Sequence, residues 1–398
     1  MALWLQGVHV SGAGRHHSST VEHGIRVAGT STGGVGLAIG GLSTDFEVAW
    51  VEVGNVGNSA IMAKNDPVCT DTNPTSFRGG FVQRNVLLHD NYLHDTLQEG
   101  FYLGYSHGSG WTIDCAGTPT LVYSHPLDNT QIYRNRIERT AREGVQVGLG
   151  TNTLIHHNFV KDFGREKTAA QNNGIQLGDK SGGRIEDNFV WNSDPDFGVG
   201  SGIILLGGTS AVQVHNNTVL NAGTGIYVSV YVTAPVDLIN NTLINPIGSI
   251  SPAADGMGIQ SYNDVSTIRV VNNLIVLGTP RKPSSLALSA ASYVTLNSVY
   301  DQKNDDQHAG SQLQGFTGAN ITQSGNSKHG QSELLATFVD APGLDFHLAP
   351  ASSARNAGVD ATAFGLSPAM SLERCTSGVA DEPRVAGPAI DVGAWEGP

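Results

Sequence analysis

Glu99 and Glu143 open two near copies of one short motif, "EGFYLG" and "EGVQVG", and a third copy from Asn173, "NGIQLG", carries an amide in place of the acid. If the copies stack as equivalent strands, the two Glu Cα atoms stand about 4.8 Å apart. Carboxylates that close repel, so one would keep its proton to unusually high pH, or a cation such as Ca²⁺ would bind between them. The spacing also approaches the roughly 5 to 5.5 Å between acid and nucleophile in a retaining glycosidase. The plainer alternative is that each Glu only accepts backbone N–H bonds at a bend.

In every apolar-x-apolar copy the flanking residues face a core and the middle one faces out. The outward column reads Arg26, Met62, Tyr102, Gln146, Gln176, Ile204, Tyr227 and Gln260. An aromatic ring beside two amides suits sugar rings, which offer apolar faces and hydroxyls together; an ordinary exposed sheet face would carry the same residue types. Long excursions leave the neighbouring repeats: "NDPVCTDTNPTSFRGGF" after Lys64, "SHGSGWTIDCAGTPTLVYSHP" after Tyr105 and "GREKTAAQNN" after Phe163. Insertions of this kind on a repetitive scaffold build binding faces. Arg78, Tyr105, Gln146, Gln176, Asp179 and Lys161 are therefore the candidate substrate contacts.

A second motif, Asn-x-apolar, must position these residues. It recurs at Asn91, Asn135, Asn158, Asn188, Asn217, Asn241 and Asn273, so successive Asn residues lie 44, 23, 30, 29, 24 and 32 positions apart. A basic unit of about 23 residues with insertions, short period-2 stretches and no helical period is a solenoid built of strands. An Asn repeated at one register can hydrogen-bond to the Asn above and below it, so an internal ladder is expected. The alternative, glycosylation at the Asn-x-Thr sites beginning at Asn216 and Asn240, conflicts with inward-pointing side chains.

Composition narrows the partners. The 398 residues include 50 Gly, only 14% are charged, and the formal net charge is −13. No basic face for a nucleic acid is expected, and no stretch approaches the ~20 apolar residues of a membrane span. The opening "MALWLQGVHVSGAG" lacks a basic leader and reads as a strand, so the chain is expected to begin inside a mature secreted domain. Of three cysteines, Cys69 and Cys115 lie in loops leaving the same sheet on consecutive coils, so a bridge between them is expected, with Cys375 free.

The two alternating motifs resemble those of the right-handed parallel β-helix proteins, over about residues 5 to 300. The stretches "DFHLAPASSARNAGVD" and "DEPRVAGPAIDVGAWEGP" look like the closing segment of many secreted bacterial β-helix proteins. The resemblance implies an all-β fold, with a parallel β-helix over residues 1–305 and a capping region over 306–398. The architecture serves pectate-lyase-like and alginate-lyase-like enzymes, glycoside hydrolases, epimerases and adhesins. Lys64 resembles, in type and rough placement, the basic residue with which alginate-lyase-like enzymes remove the proton beside a uronate carboxylate, although a solvated surface Lys has the same appearance. β-Elimination needs a base, an acid and a group that neutralises the carboxylate. Lys64 or His107 are candidates for the base, Tyr102 or Tyr105 for the acid, and Arg78 or a Ca²⁺ held by Glu99 and Glu143 for the neutraliser. The expected function is an extracellular polysaccharide lyase. A glycoside hydrolase using Glu99 and Glu143, and a non-catalytic glycan-binding solenoid, are the alternatives.

Overall fold

The computed structural model describes residues 34–66, 80–106, 108–168, 170–194, 200–229, 231–246, 258–261, 265–276, 321–330, 333–360 and 390–395, with Cys69 and the short strand segments at 9–11, 25–28, 299–301, 373–374 and 382–383. Three long sheets run along one axis, and each turn of the chain visits them in the same order. One full coil runs from Leu127–Tyr133 through Arg136–Thr140 to Val145–Val147, and the next from Gly150–His156 through Phe159–Lys161 to Ile175–Leu177. Apart from His9–Ser11, which pairs antiparallel with Ile25–Ala28 at the end of one sheet, each strand of these sheets pairs in parallel with its equivalent one coil away, as Val145↔Ile175, Gln146↔Gln176 and Val147↔Leu177. The architecture is a right-handed parallel β-helix, as the repeats imply. Its interior is filled by Val, Ile and Leu from all three sheets.

The corner between the first and second strands of a coil explains the Asn motif. The residue before each ladder Asn takes a left-handed backbone, including Asp90 (φ 54°), Arg134 (φ 50°), His157 (φ 56°) and Asn240 (φ 52°). This sharp bend turns the following Asn inward, where its amide donates to the Oδ1 of the next Asn at 2.9 to 3.0 Å from Asn91 to Asn135, Asn158, Asn188, Asn217, Asn241 and Asn273. Asn326 adds a further rung, accepting from Asn273 at 3.0 Å. Asn216 and Asn240 are buried in the bend, so the Asn-x-Thr sites are structural.

The glycine of the other motif has a different cause. A Cβ on Gly100, Gly144, Gly174 or Gly202 would press on the carbonyl of the equivalent glycine one coil on, at 2.5 to 3.0 Å. At these four positions the stacked coils leave no room for a side chain, whereas the equivalent corner one coil before Gly100 holds the small, fully buried Ala60.

One expectation is corrected. Arg26 lies in the strand Ile25–Ala28, which pairs with Val51–Val56 in the sheet that follows the Asn corner, in register with Glu52. Apolar-x-apolar stretches occur in every sheet, and Ala38 occupies the place in the column that Arg26 was assigned. Of the C-terminal region, the described residues 333–360 and 390–395 pack along the flank of that same sheet. Phe338, Phe346, Leu348, Val392 and Trp395 cluster with Phe189, Leu220, Ile244, Leu274 and Val276 on its outer face. Trp395 Nε1 donates to Thr218 Oγ1 at 2.7 Å, and the Ala394 N–H donates to Thr242 Oγ1 at 2.7 Å. The sheets themselves run on through Val299–Asp301, Ile321–Ser324 and Ser327–His329, so solenoid strands lie on both sides of residue 305.

Candidate functional site

Tyr102, Gln146 and Gln176 stand side by side on the third sheet of each coil, at the middle of Phe101–Leu103, Val145–Val147 and Ile175–Leu177. Their register matches the outward column. They do not form an open face, however: Gln146 and Gln176 are only 5% and 3% exposed. The loop after Leu103 folds back over the strands, so that Gln146 Nε2 donates to Ser106 Oγ at 3.0 Å. Gly148 permits this crossing, because a Cβ there would run into the Tyr105 carbonyl. Tyr102 is held beneath the same loop. Burial, reinforced by Tyr105 and Glu99 and opposed by its hydrogen bond with Ser106, pushes its phenol up to about 12.

Beside this column runs a second one, formed by the residues just before the corner glycines. Ser59 Oγ donates to Glu99 Oε2 at 2.6 Å. Asn173 Nδ2 donates to Glu143 Oε1 at 3.3 Å and to Gln176 Oε1 at 3.2 Å, linking the two columns. Glu99 is 4% exposed and Glu143 not at all. Burial, and then the charge of Glu99, push the Glu143 carboxyl up to about 8, as the stacked-carboxylate argument anticipates. Glu143 Oε2 has no hydrogen-bond partner among the described residues.

The pair does not fit Ca²⁺ well. A cation of this kind takes six to eight oxygen ligands, whereas Glu143 is sealed from solvent and Ser59 occupies one Glu99 oxygen. Among the described residues no group of three or more His, Cys, Asp or Glu could hold a metal ion.

Lys64 follows the strand Ile61–Ala63, one coil before Tyr102. Its Nζ lies 5.5 Å from the ring centre of Tyr102 and 5.0 Å from that of Tyr105, and 2.6 Å from Asp66 Oδ2. Asp66 also accepts a short hydrogen bond from Ser124 Oγ. Tyr105 packs on Trp111 with ring centres 4.4 Å apart. Trp111 begins the hairpin of Trp111–Cys115 with Thr118–Val122, and the Cys69–Cys115 disulfide fastens that hairpin to the loop that follows Lys64. The expected bridge is therefore formed, and it lies on the hairpin whose Trp111 packs against Tyr105.

The structure gathers Lys64, Glu99, Tyr102, Tyr105, Glu143, Gln146 and Gln176 into one region. Asp179 reaches its edge, against the loop at Gly108, where Lys180 Nζ donates to the Gly108 carbonyl at 2.6 Å. Lys161 is not part of it. It belongs to Phe159–Lys161 in the sheet after the Asn corner, with its Nζ 4.6 Å from the Trp191 ring centre. Being three residues after ladder Asn158, Lys161 carried that assignment in its spacing. Arg78 and His107 lie outside the described residues. Asp66, Ser106, Trp111 and Ser124 complete the site; loops hold three of them, and no repeat marks their positions.

Residues 83–275 match the family model of the right handed beta helix region. The match agrees with the fold that the coordinates show, a right-handed parallel β-helix with three in-register sheets and an Asn ladder. Such domains occur in carbohydrate-active enzymes. A search of curated proteins finds no significant match. No helix among the described residues is long and apolar enough to cross a membrane, and the disulfide is of the kind that persists in oxidising compartments.

Proposed function

We propose that the chain is a secreted polysaccharide lyase that cleaves a uronate-containing glycan by β-elimination in the groove beside Tyr102. The observation that carries this reading is the convergence of an amine and two phenols: Lys64 Nζ against the rings of Tyr102 and Tyr105, under a disulfide-braced wall. Lys64, as its free amine, takes the proton from the carbon beside the uronate carboxylate. The electron pair of that C–H bond becomes the new carbon–carbon double bond, and the glycosidic C–O bond breaks. Tyr102, whose phenol stays protonated far above neutral pH, gives its proton to the leaving oxygen. Tyr105 and Trp111 offer the aromatic surface on which a sugar ring stacks. Arg78 is the expected partner of the substrate carboxylate.

Glu99 and Glu143 have no place in this chemistry. Carboxyls stacked on one side of a column and shut from solvent are poorly placed to flank a glycosidic bond, which supports the lyase reading over the hydrolase alternative.

A panel of alginate, polygalacturonate and glycosaminoglycans, followed by the ultraviolet absorbance of unsaturated products and by reducing ends, tests the reading. Absorbance should rise on a uronate polymer, survive chelator, and fall by more than ~100-fold in Lys64→Ala. Reducing ends without absorbance, abolished in Glu143→Gln, would establish the hydrolase. Glycan binding with neither signal would establish the adhesive solenoid.

A further inference from the structure

Given that Lys64 transfers the proton, as the lyase reading requires, we propose that Asp66 is its positioning residue, aimed by Ser124, and that Lys64, Asp66 and Ser124 work as a relay. Asp66 Oδ2 lies 2.6 Å from Lys64 Nζ, and its other oxygen accepts from Ser124 Oγ. Lys64 Nζ is thus fixed between a carboxylate on one side and the Tyr102 and Tyr105 rings on the other.

The backbone makes this arrangement rigid. Lys64 N–H donates to the Ile39 carbonyl at 3.1 Å. Asn65, between the two charged residues, accepts from the Leu42 N–H through its side chain at 2.6 Å and from the His125 N–H through its carbonyl at 3.0 Å. Three consecutive residues are therefore pinned to the preceding coil and to the loop that leads into the next one. Ser124 and Asn65 are buried, so the segment has little room to reorient.

The chemistry follows the logic of a base oriented by a third group. When Lys64 takes the proton it becomes an ammonium in a partly buried groove, and Asp66 is already in place to stabilise that charge. Because the charge of Lys64 is matched by Asp66, Lys64 is left to the proton and the uronate carboxylate falls to another cation.

Two variants and two readouts test the assignment. Asp66→Asn and Ser124→Ala are compared with the parent chain for turnover, and for acetylation of Lys64 by acetic anhydride, read by peptide mass spectrometry against Lys161 as internal reference. In Asp66→Asn the ion pair is gone, so Lys64 should acetylate at least about threefold faster while kcat falls about 10- to 100-fold with KM within about threefold. Ser124→Ala should move both in the same direction by less, and Asp66→Glu should recover part of kcat. Unchanged Lys64 acetylation in both variants would overturn the positioning role, and faster acetylation at undiminished kcat would overturn the relay. If acetylation quickens but the parent chain makes no unsaturated product, the clamp on Lys64 stands and the lyase reading falls. Should Asp66→Asn not fold, Ser124→Ala carries both readouts.

Discussion

Asn188 gives both its main-chain N–H and its side-chain amide to a single atom, Asn217 Oδ1, at 3.1 and 2.9 Å. It receives the same pair of bonds from Asn158, at 3.0 and 2.9 Å. Each rung thus saturates a buried main-chain donor as well as an amide, with nearly all of it out of reach of water.

Truncating a middle rung strands its neighbours. Asn188→Ala leaves the buried Asn158 N–H without its acceptor and takes the side-chain amide away from the Ile155 and Glu186 carbonyls and from Asn217 Oδ1, which keeps only the main-chain N–H of residue 188, and should cost about 3 kcal/mol or more. Denaturant melts of the variant check it; a loss below about 1 kcal/mol would mean that water or the backbone replaces the rung.

Glu143 makes stability depend on pH with a definite sign. Its folded carboxyl is raised to about 8, so between the ordinary glutamate value and that pH the folded chain holds a proton that the unfolded chain has released. The stabilisation is complete in acid and is lost as pH rises towards 8, at up to about 1.4 kcal/mol per pH unit. Thermal melts from about pH 5 to pH 9 should show Tm falling over this span, and the decline should be absent in Glu143→Gln.

Reduction should loosen the groove wall and leave the sheets in place. The Cys69–Cys115 bridge spans 46 residues of chain, and closing a loop of that length contributes about 4 kcal/mol in the chain-entropy account. The unfolded, unreduced chain should show one reactive thiol, that of Cys375. Cys69→Ser with Cys115→Ser should keep the β-sheet circular dichroism and lower turnover on the glycan.

Trp395 reports on the flank. It packs edge-on to Phe346, with ring centres 5.9 Å apart, and donates to Thr218. Trp395→Ala should cost about 3 to 5 kcal/mol. Removing the chain after residue 332 should expose Phe189, Leu220, Ile244 and Leu274 together and drive aggregation, read by light scattering.

The sheets and the ladder were legible in the sequence because each rung repeats one residue type at one register, and a column of Asn or of corner Gly has few other causes. Arg26 and Lys161 show where the pattern stops. Apolar-x-apolar is common to all three sheets, so a strand without its Asn or corner Gly in view goes to the wrong face, as Arg26 did. Lys161 follows its Asn closely enough that its sheet could have been read correctly. The partners of Lys64 were less accessible. Asp66 and Ser124 are 58 residues apart, and Trp111 comes from a hairpin belonging to no repeat, so only the folded loops bring them together. The burial of Glu143 has the same origin, because a column's register does not reveal what folds back over it.

After Leu103 the chain makes its long excursion through residues 104–126 before rejoining the solenoid at Leu127, whereas after Val147 it rejoins at Gly150 across residues 148–149 alone. Yet Gln83, Leu127 and Gly150 stand in one register across three successive coils. Length at this corner is thus decoupled from the scaffold. Descendants of such a chain can acquire, lose or exchange the segment that bears Tyr105, Trp111 and Cys115 while every rung keeps its partner, so that the surface presented at a single joint is free to drift.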